Sequence, residues 1–213
     1  MTDDPAKAVM EAVATQGVVG IVRTPTAVEG EELVDRLLAA GLRAVEVSLS
    51  TPDACGIIRR SAGRIPARAY LGVGTVLDAA SCDAAAAAGA RFVVTPALRR
   101  TVVEAAVANK MAAMPGVMTP TEALSALEWG ASAVKLFPAT TWTPAAVRDL
   151  LQALPDLPVV PTGGVGLDDA PAWIAAGALA VGLGGALTRA MPEETPAHVE
   201  ELLTRLAAAR DRQ

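Results

Sequence analysis

The sequence predicts an α/β fold: a single (β/α)8 (TIM) barrel with an extra N-terminal helix, one domain over residues 1–213. Three observations predict it. Eight short apolar runs alternate with amphipathic, alanine-rich stretches. Glycines close several of those stretches just before the next run. No linker or second core interrupts the series. Alternating strand and helix implies parallel strands, because a parallel pair needs a crossover connection. Eight units without a long linker favour closure over an open doubly wound sheet. An open sheet of that kind would carry a glycine-rich turn after its first strand, whereas here the turn is Arg23-Thr24-Pro25-Thr26.

The elements follow in order. A helix over Pro5–Gln16 precedes the first run, Val18–Arg23, which leads into a helix at Val28–Ala40. The run Ala44–Leu49 is followed by a helix at Pro52–Arg60, and Ala69–Val73 by one at Ala79–Ala88. Arg91–Thr95 precedes a helix at Arg99–Ala108, and Met111–Pro115 one at Pro120–Trp129. Ala133–Phe137 leads to Pro144–Ala153, Pro158–Thr162 to Leu167–Ala176, and Ala180–Leu183 to Ala197–Arg210. Gly41, Gly89, Gly130 and Gly177 each end a helix just before a strand, where positive φ suits glycine.

Composition narrows the function. Apolar residues make up 52% and aromatics 3%, so the core is expected to be aliphatic. A formal charge of −5 argues against a nucleic-acid binder, which shows a basic face. No apolar run reaches the ~18 residues of a membrane span, and the acidic start lacks a signal-peptide pattern. A soluble, cytoplasmic protein is expected. Two cysteines, Cys55 and Cys82, and one histidine, His198, are too few for a zinc centre or a histidine relay.

Barrel active sites lie at the carboxyl ends of strands. Of the 18 basic side chains, three are lysines, and one of them, Lys135, sits inside an apolar strand. Strand side chains alternate, so Ala133, Lys135 and Phe137 share one face. A desolvated lysine loses its proton more readily and becomes a nucleophile for a ketone. A structural lysine paired with a carboxylate is the plainer alternative. Glu46 shares a face with Ala44 and Ser48 and would also point inward, as a proton shuttle or as a salt-bridge partner of Lys135 or Arg23. Gly163-Gly164 and Gly184-Gly185 end the last two runs, where barrels often seat a phosphate on bare backbone N–H groups, although tight turns alone would also explain them. Arg23 can clamp a carboxylate or make an ordinary surface ion pair. Thr75 offers a hydroxyl beside flexible backbone. Phe137 is either a substrate contact or core.

Several of these stretches together resemble one family. Glu46–Leu49 (EVSL), Gly72–Leu77 (GVGTVL), Thr95-Pro96, Met114–Glu122 (MPGVMTPTE), Lys135–Pro138 (KLFP) and Pro161–Val165 (PTGGV) resemble the 2-keto-3-deoxy-6-phosphogluconate (KDPG) and 4-hydroxy-2-oxoglutarate (KHG) aldolases. The match runs in order from Val18 to about Ala190. The resemblance implies a trimeric class I aldolase that needs no cofactor or metal and acts on a phosphorylated keto acid, releasing pyruvate. It implies the Schiff base at Lys135, acid–base catalysis at Glu46, the substrate carboxylate at Thr75, and the phosphate at Gly163, Gly164, Gly184 and Gly185. Phe137, Pro96 and Thr162 match substrate-pocket positions.

There are departures from the family pattern. Ser50 stands where some members carry an arginine for the carboxylate, while Arg23 matches an arginine that other members place after the first strand. Gly185 stands where many carry a phosphate-binding serine, a loss of one donor worth about 1 kcal/mol. A sister group acts on the phosphogalactonate epimer; it resembles this chain in Ala126–Glu128 and Ala175–Gly177 but tends to have valine where this chain has Thr162, so the reading leans to the gluconate form. A Schiff-base-independent phosphosugar isomerase or epimerase and a non-catalytic metabolite-binding barrel remain as more distant readings.

Overall fold

The computed structural model describes residues 4–188 and 191–211. The chain opens with helix α1 (Pro5–Gln16), capped by the Asp4 carboxylate and ended by Gly17 in the left-handed region. Strand β1 (Val18–Val22), helix α2 (Ala27–Ala39), strand β2 (Ala44–Ser48), helix α3 (Ala54–Ser61) and strand β3 (Tyr70–Gly74) follow. Next come α4 (Ala79–Ala88), β4 (Phe92–Val94), α5 (Arg100–Ala108) and β5 (Ala112–Met114). Then come β6 (Gly116–Val117), α6 (Pro120–Glu128), β7 (Val134–Leu136), α7 (Pro144–Ala153) and β8 (Val159–Pro161). Helix α8 (Ala170–Ala175), β9 (Val181–Leu183), the short α9 (Gly185–Thr188) and α10 (Thr195–Arg210) complete the order.

All the strands pair in parallel. Six form a curled sheet in the order β5-β4-β3-β2-β1-β9, and β6-β7-β8 form a second sheet. The sheets touch at both sides. Thr162 bridges to Gly182, and the Ser132 and Ala133 N–H groups donate to the Ala113 carbonyl. The expected alternation of strand and helix is therefore present. The run expected as one strand at Met111–Pro115 divides into β5 and β6 around Pro115, which has no N–H to give to a ladder. Gly41, Gly89, Gly130 and Gly177 all have φ between 96° and 106°, the conformation expected of glycines that end helices.

Two apolar layers follow from strand alternation. Val45 and Val47 pack outward into the large cluster that β-strands share with helices. Val19, Ala44, Phe92, Met114, Ala133 and Val160 point the other way and form an inner cluster. Val9 and Val13 of α1 belong to that inner cluster. The first helix thus plugs the amino-terminal end of the inner layer. Two residues further along the same faces stand Glu46, above Ala44, and Lys135, above Ala133. The inner layer is apolar at one end and ionisable at the other.

Candidate active site

A cavity of about 1080 Å³ opens at the carboxyl ends of the strands. Nine of the residues singled out in the sequence line it: Arg23, Glu46, Lys135, Phe137, Thr162, Gly163, Gly164, Gly184 and Gly185. They come from β1, β2, β7, β8 and β9 and the turns that follow. Thr75 and Pro96 are not among its lining residues. Pro96 packs on Gly116, where a Cβ would lie 2.5 Å from the Pro96 carbonyl carbon. The neighbouring Thr95 hydroxyl donates to the Ala97 carbonyl and accepts from the Gly116 N–H, which ties the end of β4 to β6.

Lys135 is only 6% exposed and Glu46 2%. Neither makes an ion pair or hydrogen bond to the other among the described residues. The Lys135 ammonium instead lies 4.5 Å from the centre of the Phe137 ring, its neighbour on the same strand face. Burial pushes the Lys135 amine below the ordinary lysine value, Glu46 pulls it back up, and Arg23 adds a further downward push. Burial pushes the Glu46 carboxyl above the ordinary carboxylate value, against the pull of Lys135 and Arg23. Both groups are thereby shifted towards neutrality, which gives a nucleophilic amine and a carboxyl able to carry a proton.

Glycine is required around these groups. A side chain at Gly74 would occupy the space of the Glu46 carboxyl, and one at Gly182 that of the Thr162 hydroxyl. Gly163 and Gly164 have φ of 87° and 90°, and side chains there would strike Phe137 and Thr140. Their bare backbone faces the cavity. The Thr162 hydroxyl is buried and donates to the Val160 carbonyl.

Thr75 stands one residue beyond Gly74, which abuts the Glu46 carboxyl, and has φ of 62°. That conformation costs a β-branched residue on the order of 1–3 kcal/mol. Its hydroxyl is tied to the fully buried Ser48, and Ser48 to Ser50. Sequence reasoning assigned Ser48 no role, although its place on the Glu46 face was legible. It also passed over Glu29, Glu32 and Arg36, which line the outer part of the cavity from α2. Their spacing, i, i+3 and i+7, marks one helix face and was the available signal.

The raised pKa of Glu46 gives a prediction with a definite sign. Between the ordinary carboxylate value and the higher folded value, the native state holds more protons than the unfolded state. Native stability carried by Glu46 is therefore present on the acid side and lost as pH rises through that window. Glu46→Gln should match the parent in urea unfolding at acid pH and exceed it at pH above the window. A constant difference across pH would show that Glu46 ionises normally.

An α/β fold whose site sits at the carboxyl ends of parallel strands, with a buried amine and a buried carboxyl on one cavity, is suited to the amine chemistry of a carbon–carbon lyase. The model of the family described as "KDPG and KHG aldolase" matches residues 9–201, and the chain belongs to that family. The 2-dehydro-3-deoxy-6-phosphogalactonate aldolase of Escherichia coli (strain K12) is 37% identical over 81% of this chain and 84% of its own length. The 2-dehydro-3-deoxy-phosphogluconate aldolase of Pseudomonas aeruginosa is 37% identical over 67% of this chain and 65% of its own. A solved structure described as native KDPGal superposes with a TM-score of 0.82 at 33% identity, covering 91% of this chain and 96% of that one. Among the described residues no helix is long and apolar enough to cross a membrane.

Proposed function

We propose that this chain is a class I aldolase that cleaves 2-keto-3-deoxy-6-phosphogluconate to pyruvate and glyceraldehyde 3-phosphate. The observation that carries the reading is the buried Lys135 amine facing the same cavity as the buried Glu46 carboxyl, with both pKa values shifted towards the neutral forms.

The neutral amine of Lys135 attacks the C2 ketone, and Glu46 shuttles protons while the carbinolamine loses water. The iminium that results is an electron sink, so the C3–C4 bond breaks as the C4 hydroxyl gives its proton to Glu46. Glyceraldehyde 3-phosphate departs and the pyruvate enamine remains. Glu46 returns a proton to the enamine carbon, and water hydrolyses the imine to free pyruvate and Lys135. One difficult cleavage becomes a series of easier steps, with the imine in the role a metal would otherwise fill. Arg23 and Thr75 hold the carboxylate. The backbone of Gly163, Gly164, Gly184 and Gly185 holds the phosphate. Phe137 packs on the carbon chain, and Pro96 and Thr162 shape the pocket.

The same reading takes the two sheets as parts of one closed eight-stranded barrel, residues 1–213 as one domain, and the enzyme as a cytoplasmic homotrimer. The gluconate form rests on Thr162, whose buried hydroxyl lies on the cavity wall where the phosphogalactonate group tends to carry valine. A second reading, the phosphogalactonate epimer, is supported by the Escherichia coli relative and by the KDPGal fold neighbour. The two substrates differ in configuration at C4, next to the bond that breaks. Measuring kcat/KM for both should give about a tenfold preference for the gluconate epimer, narrowed in Thr162→Val. A preference for the galactonate epimer would establish the second reading.

A further inference from the structure

We propose that Ser48 is a positioning residue that, with Ser50, orients the Thr75 hydroxyl as a donor to the substrate's carboxylate. This rests on the reading of Thr75 given above. The geometry is a chain of three hydroxyls across the ends of β2 and β3. Ser48 Oγ lies 2.8 Å from Ser50 Oγ and 2.8 Å from Thr75 Oγ1. The Ser50 N–H also donates to Ser48 Oγ at 3.3 Å. Ser48 is fully buried, whereas Ser50 is exposed and Thr75 partly so.

Each hydroxyl has one proton and two lone pairs, and an ionised carboxylate only accepts. That asymmetry selects a direction. Ser48 already accepts from the Ser50 N–H. If Ser48 donates to Ser50, Thr75 must donate to Ser48, and Thr75 then turns only lone pairs towards an anion. If Ser50 donates to Ser48, Ser48 donates to Thr75, and the Thr75 proton is free for the carboxylate. In either state Ser48 makes two accepted bonds and one donated bond, its full capacity, so only the anion distinguishes the two. The carboxylate therefore selects one of two proton orders, and aligned hydroxyl chains polarise one another. Thr75 directly follows Gly74, whose backbone abuts the carboxyl of Glu46, a residue of the cavity wall. The left-handed backbone at Thr75 is held in part by the same Ser48 contact.

The test is borohydride trapping of the pyruvate imine, read as initial rate against pyruvate concentration. Thr75→Ala should raise half-saturating pyruvate about tenfold, the loss of one hydrogen bond to a charged group. Ser48→Ala should raise it about fivefold, with the maximal trapping rate little changed. Ser48→Cys keeps the volume but donates weakly, and should behave like Ser48→Ala even if the smaller residue loosens the fold. The double variant Ser48→Ala/Thr75→Ala should be no worse than Thr75→Ala alone, because the two act as one unit. Additive losses, or a Ser48 variant that lowers only the maximal rate, would overturn the relay. An unchanged half-saturation in Thr75→Ala would instead overturn the assignment of the carboxylate to Thr75.

Discussion

Lys135→Ala is expected to lower kcat/KM by about 10⁵-fold, the scale on which loss of a covalent nucleophile is felt. Incubation with pyruvate and borohydride should add no mass to the variant, while the parent should carry a pyruvate-derived adduct that maps to Lys135. The fold should survive. Lys135 makes no ion pair among the described residues, and its charged form is disfavoured where it lies. Removing it therefore strips a desolvation cost along with the side chain, and the variant should melt no lower than the parent. A variant that kept its turnover would sink the imine mechanism and favour a lysine-independent isomerase on the same architecture. Binding of substrate without turnover or adduct in the parent itself would favour the metabolite-binding reading.

Glu46→Gln should cost about 10²–10⁴ in kcat, the contribution of a placed general acid–base group. The amide keeps the shape that Gly74 accommodates but cannot carry the proton. Pyruvate should still form the Lys135 adduct, more slowly, because dehydration of the carbinolamine loses its shuttle. Exchange of the pyruvate methyl protons with solvent deuterium, followed by NMR, isolates the enamine step and should fall by at least as much as kcat. Rapid exchange in Glu46→Gln would assign the proton transfer to another group. Together with the pH dependence of stability expected for the same variant, this places a gain in stability against a loss in activity at one residue, as buried functional charges commonly do.

Much of this was legible in advance because parallel α/β architecture writes itself locally. The glycines at 41, 89, 130 and 177 announced helix ends, and all four adopt positive φ. The inward faces of Glu46 and Lys135 followed from alternation alone, since Ala44 and Ala133 on those faces lie in the inner cluster. Boundaries were less legible. The helix expected from Pro52 begins at Ala54, and the one expected over Leu167–Ala176 is confined to Ala170–Ala175. Turn residues at these helix starts are read by hydrogen bonding, and pattern alone does not decide it. The short helix Gly185–Thr188 and the division of a strand around Pro115 carried no periodic signal at all.

Sequence by itself determined the alternation of elements, the faces on which the lone strand lysine and the strand glutamate would lie, and the family to which the chain belongs. These depend on period-two alternation and on which residue types tolerate a given backbone, both local properties. Only the tertiary structure decided that nine of the singled-out residues share one cavity while Thr75 and Pro96 stand outside its lining. It also decided that α1 plugs the inner layer and that Ser48 joins Thr75 to Ser50. Those facts depend on distances between strands far apart in the chain, and on how deeply each group is withdrawn from water. The shifted proton affinities of Lys135 and Glu46 are of that second kind: desolvation is their largest cause, and desolvation exists only once the sheet has curled around them.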